Sequence, residues 1–189
     1  MAGFHLLILY MDESFFGYLQ RLEMMAFFSG YPLIYAVAFF IAANLQSNTS
    51  IKRKIVSLLP FSYALVGTLF LGLQIKNLYP DYSFENIKLT TQEPFLKIWG
   101  LLSMLFWIPA LSKKPVLSLV HSLVFFFFLA KDLFLHIFQL STDKYMIRNE
   151  MKIYSDSLIL NLGALAVVSI FYFLIIRFKK NRSSQRLPS

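Results

Sequence analysis

Apolar residues in this chain gather into five long runs, at about 26–44, 55–78, 95–111, 115–139 and 158–176, separated by short polar stretches. A helix needs about 20 mostly apolar residues to cross a hydrocarbon core of about 30 Å, so each run predicts a membrane span, the third being the shortest. Ahead of the first, Phe15, Tyr18, Leu19, Leu22 and Met25 recur at helical spacing with Glu13, Gln20, Arg21 and Glu23 between them. That pattern predicts an amphipathic helix over 1–25 lying on the membrane surface. The expected fold is an all-α membrane protein: five transmembrane helices over 26–176, an N-terminal amphipathic surface helix, and a basic tail over 177–189.

Residues inside the runs refine this picture. Pro32 stands near the start of the first span, where proline is best tolerated, and Gly67 and Gly72 in the second allow close helix contact. Trp99 and Trp107 lie toward opposite ends of the third, as interfacial anchors would. Residues 111–115 form a tight turn, which makes spans three and four an antiparallel hairpin. The fifth offers Asn161, Gly163, Ala164, Ala166 and Ser169 for helix packing.

The fourth run, PVLSLVHSLVFFFFLAKDLFLHIFQ, carries ionisable groups well inside it. At about 100° per residue, Asp132 lies about 20° round the axis from His121, Phe125 about 40°, and Ser118 and His136 about 60°. The opposite face holds Val116, Leu119, Leu123, Phe126, Ala130, Phe134 and Ile137 and suits lipid. A charge in hydrocarbon costs roughly 2.5–3.5 kcal/mol on insertion scales, so the Asp132 face is expected to turn inward.

Composition and charge settle the class. Of 189 residues 57% are hydrophobic, and the mean hydropathy is +0.59, well above a soluble domain. The absence of cysteine excludes disulfides, thiolate metal sites and a cysteine nucleophile. The net charge of +8 suggests nucleic acid only until its distribution is read. Segments 45–54, 111–114 and 177–189 contain ten Lys and Arg and no acidic residue, while all ten acidic residues lie elsewhere. By the positive-inside rule those three segments are cytoplasmic and the amino terminus is outside. The abundance of Phe, Ile and Lys points to a bacterium, hence to its cytoplasmic (inner) membrane. The expected surroundings are the lipid bilayer and other membrane-protein subunits, with no nucleic acid.

Candidate chemistry concentrates on Lys97, His121, Lys131, Asp132 and His136. Hairpin geometry places Lys97 within about a turn of Asp132 and predicts an interhelical ion pair, with Lys131 snorkelling outward. A fixed structural pair is one reading. A proton or ion relay through Asp132 and His136, four residues apart, is the other, with His121 as inner relay. His121 and His136 are about 22 Å apart along the helix, a separation suited to two haems, but three histidines are too few for two bis-histidine sites. No Gly-x-Ser-x-Gly, aspartyl dyad or phosphate-cradling glycine loop is present, so neither a catalytic residue nor a cofactor or metal is assigned. Two function classes follow: an accessory or scaffold subunit of a larger membrane complex, or an ion- or proton-conducting component.

Overall fold

A computed structural model of the chain describes residues 17–44, 49–91, 93–138 and 144–184. These are helical almost throughout, with no strand among the described residues. The elements are α1 (17–28), α2 (Tyr31–Asn44), α3 (Thr49–Asn77), α4 (Phe84–Thr90) and α5 (Pro94–Leu102), then a 3-10 segment (Ser103–Trp107), α6 (Pro109–Ser112), α7 (Pro115–Phe138) and α8 (Lys144–Ser184). Four helical stretches are long and apolar enough to cross a membrane: Gly17–Asn44, Lys54–Asn77, Pro115–Leu135 and Arg148–Lys179. Pro94–Trp107 is apolar but shorter.

The first span differs from its sequence expectation. Residues 17–25, expected on the membrane surface, continue with only a turn at 29–30 into α2, and α1 buries Met24, Met25 and Phe28. The part of the expected surface helix before Gly17 lies outside the described residues. Ser29 donates its hydroxyl to the Met25 carbonyl at 2.6 Å, while the Gly30 backbone N–H donates to Ser157 Oγ at 2.8 Å. Helix ends leave carbonyls without intrahelical partners, and Asn161 Nδ2 fills one by donating to Phe27 O at 2.8 Å. Only glycine fits this crossing, because a Cβ at Gly30 would lie 2.6 Å from the Leu158 backbone nitrogen.

The third run is broken rather than straight. Proline at 109 disfavours helical backbone at Ile108, which is extended at φ −72° and ψ 126°. The helix therefore tightens into 3-10 geometry after Leu102 and restarts for a single turn at Pro109. Ser103 begins the tight segment and lies against Gly67 of α3, where any Cβ would collide with its hydroxyl.

α3 is the central helix, touching α2, α5, α6, α7, α8 and the 3-10 segment. Lipid is as apolar as leucine, so in a bilayer close packing and hydrogen bonds, not burial alone, must hold helices together. The packing is aromatic. Phe28 stacks on Phe125 with centroids 4.7 Å apart and meets Phe70 and Tyr63 edge-on. Phe28 beside Phe125, with Tyr31 bonded to Ser118, sets α7 antiparallel to α1 and α2. On α7, Ser118, His121, Phe125 and Asp132 are buried, whereas Val116, Leu123, Phe126 and Phe134 on the opposite face are exposed.

Candidate functional site

A polar cluster in the interior is built on His121. Its Nδ1 lies 2.7 Å from the Tyr63 hydroxyl, and its ring stacks on Trp99 with centroids 4.7 Å apart and planes 5° from parallel. Trp99 Nε1 donates to the His121 carbonyl at 3.1 Å, so the indole grips both ring and backbone. Phe106 closes the site edge-on and Phe125 lies tilted against the ring. Beside it, Tyr31 and Tyr63 have centroids 4.4 Å apart. The Ser118 hydroxyl donates to Pro115 O at 2.7 Å, which leaves its oxygen to accept from the Tyr31 hydroxyl at 2.8 Å.

Each of these side chains is fixed by its helix. Ser118, His121 and Phe125 follow one another at intervals of three and four, the repeat that keeps residues on one face. Tyr63 comes from the middle of α3 and Tyr31 from the first turn of α2, where the break at 29–30 turns it inward. His121 Nε2 is buried and has no hydrogen-bond partner among the described residues.

Three further hydroxyls donate within their own helices. Ser62 bonds Leu59 O at 2.8 Å, Ser122 bonds Leu119 O at 2.8 Å and Ser169 bonds Leu165 O at 2.7 Å. A hydroxyl returned to its own helix satisfies itself and offers no activated nucleophile. A neutral imidazole and a phenol in apolar surroundings make a good hydrogen bond, but moving the proton between them would create two charges in a dry site. The cluster is suited to fixing α3, α5 and α7 in register.

At the end of the bundle marked by Gln20 and Asn77 the chemistry is ionic. Arg21 pairs with Glu93 at 2.6 Å, tying α1 to the start of α5. Asp132, buried on α7, is within electrostatic reach of Arg21 and Tyr18, and its Oδ2 accepts no hydrogen bond among the described residues. A cavity of about 250 Å³ opens beside them between α1, α3, α4 and α5, with Glu23, Gln74 and Lys97 on its wall. Gln74 Nε2 donates to Glu23 Oε1 at 2.5 Å, and Lys97 Nζ donates to Thr91 Oγ1 at 3.4 Å.

The expected Lys97–Asp132 pair is not formed. Trp99 takes the side of α5 that meets α7, and Lys97, two residues earlier, points about 200° away around the helix, to the cavity wall beside Gln74. The depth estimate also shifts. The turn does fall at 113–114, but Trp99 stands beside His121, which puts Lys97 level with about Leu123, about 13 Å short of Asp132. Lys131 is exposed, and the His136 side chain lies outside the described residues. His121 and Asp132 share the inward face of α7 but belong to separate environments, aromatic and ionic. Among the described residues no three of His, Asp and Glu converge as a metal would need.

Sequence reasoning missed Tyr31 and Tyr63 as partners of the α7 polar face. A hydroxyl-bearing ring at mid-span, where an interfacial anchor has no place, is the signal that marks them. Comparisons with family models, with characterised proteins and with solved structures give no match.

Proposed function

We propose that this chain is an accessory or scaffold subunit of a larger complex in a bacterial inner membrane. In this reading it crosses the membrane five times, with Pro94–Ser112 completing the third span as a broken helix, the amino terminus outside and the basic carboxyl-terminal end inside. The first turns of α1, with Gln20, Arg21 and Glu23, stand at the outer interface.

One observation carries the reading. Five interior hydrogen bonds join different helices directly: Tyr63 and Trp99 with His121, Tyr31 with Ser118, Asn161 with Phe27 and Ser157 with Gly30. Such bonds build a rigid frame. α8 complements it, because beyond Leu165 the apolar side chains of Ile170, Phe171, Phe173 and Ile175 are exposed.

A mild-detergent pull-down through a carboxyl-terminal tag, with the mass of the purified particle, tests this. Stoichiometric partner subunits are the expected result, and a lone 22.0 kDa chain or a homo-oligomer overturns it.

The second reading, an ion- or proton-conducting component, draws on Asp132, whose Oδ2 is buried without a hydrogen bond among the described residues. Proton flux into liposomes containing the purified chain, lost on Asp132→Asn while the fold persists, is the result that would favour it.

A further inference from the structure

The cavity at the Gln20 end of the bundle combines features that a packing defect does not need. Its inner wall is apolar, with Leu71 and Leu101 each one helical turn deeper than Gln74 and Lys97, and Ile75 toward the side. Above this floor stand one carboxylate and one ammonium. Glu23 and Lys97 are within electrostatic reach of each other but form no direct ion pair. Glu23 uses Oε1 to hold the Gln74 amide, and no hydrogen bond to Oε2 is formed among the described residues. Lys97 spends one of its three N–H donors on Thr91 and has no carboxylate partner among the described residues. Half-buried charges of this kind normally find a counter-charge.

From this geometry we infer that the cavity is a binding site for an ammonium–phosphate zwitterion, the head group of a phosphatidylethanolamine molecule of the surrounding leaflet. The phosphate lies at Lys97, the primary ammonium donates to Glu23, and the glycerol and first methylenes rest on Leu71, Ile75 and Leu101. Chemistry and size both favour this occupant. A volume of about 250 Å³ holds a head group but not two acyl chains, which stay in the bilayer. A wholly anionic head group meets Glu23 unfavourably. A choline head group has no N–H to donate to it. The site is independent of whether the chain has partner subunits.

Native mass spectrometry of the delipidated protein in detergent, titrated with phosphatidylethanolamine, phosphatidylglycerol and phosphatidylcholine, tests the assignment. Wild type retains phosphatidylethanolamine on the order of tenfold better than the other two, the size of one charge-assisted hydrogen bond. Lys97→Met lowers retention of all three, and Lys97→Arg restores it. Glu23→Gln, which keeps an acceptor oxygen for Gln74, abolishes the preference for ethanolamine over glycerol while retention of phosphatidylglycerol holds or rises. Circular dichroism melting of each variant separates lost lipid from lost fold. Equal retention of the three lipids by wild type overturns the proposal, as does unchanged retention by a folded Lys97→Met protein. If free O-phosphoethanolamine raises the melting temperature of lipid-free protein while phosphatidylethanolamine is not retained, the lipid assignment is overturned.

Discussion

The phenol of Tyr63 on α3 and the imidazole of His121 on α7 are joined by a 2.7 Å hydrogen bond in a site walled by Trp99, Phe106 and Phe125. His121 Nε2 has no partner among the described residues, so this bond is the ring's main polar anchorage. Removing one partner from a buried bond costs more than the bond contributed, because the survivor stays desolvated. Tyr63→Phe is therefore expected to destabilise the protein by about 1–3 kcal/mol. The double variant Tyr63→Phe with His121→Phe should cost less than the two single changes summed, since neither polar group is stranded. Melting in detergent across the four-member cycle checks this, and strict additivity would contradict it.

Glycines separate into two behaviours. Gly30→Ala places a methyl group against the α8 backbone at Leu158 and pushes the crossing apart, with an expected cost of roughly 1–3 kcal/mol. Around Gly72 and Gly163 an added Cβ meets nothing within 4 Å, so alanine there should leave the isolated protein unchanged or more stable by up to about 1 kcal/mol. Thermal melts of the three single variants decide the matter.

Lys97 and Asp132 occupy different environments, and their substitutions should behave independently. Lys97→Met and Asp132→Asn are expected to add within about 0.5 kcal/mol, whereas an ion pair would show coupling well beyond that. Arg21→Met, by contrast, strands Glu93 and should couple to Glu93→Gln.

Topology can be measured cleanly because the chain has no cysteine of its own. In the five-span arrangement, cysteines replacing Asp81 or Tyr82 react with a membrane-impermeant maleimide added to intact cells. Those replacing Lys113 or Asn181 react only after permeabilisation. Labelling of position 113 in intact cells would mean that the third run does not carry the chain across.

How much of this was legible in the sequence varies with the physics involved. The α7 helix was expected over 115–139 and runs over Pro115–Phe138, because a strong helical apolar pattern with a proline at its start leaves little freedom. Its buried face was readable for the same reason: Ser118, His121, Phe125 and Asp132 repeat at helical intervals. What periodicity cannot supply is the neighbour that a face meets. Lys97 was assigned to Asp132 from depth alone, yet Trp99 settles which side of α5 faces α7, and the break in the helix over Ser103–Ile108 spoils a depth count that assumes one straight helix. The run Ser103–Ile108 is as apolar as its flanks, so its geometry is marked in the sequence only by Pro109. The basic end was expected as a tail from position 177, whereas α8 continues to Ser184, its last charged turns extending the same apolar helix.

That continuity turns α8 into a lever. Its 41 residues make a rod about 60 Å long, which packs on α2, α3 and α7 and buries Glu150, Ser157, Asn161 and Ala164 in the bundle. From Leu165 to Lys179 the helix runs on for about 21 Å with mostly exposed side chains, so a tilt of about 10° at Leu165 swings the basic end by about 4 Å. The close approach at Gly30 is thus one of the contacts that set the bearing of a distant charged tip.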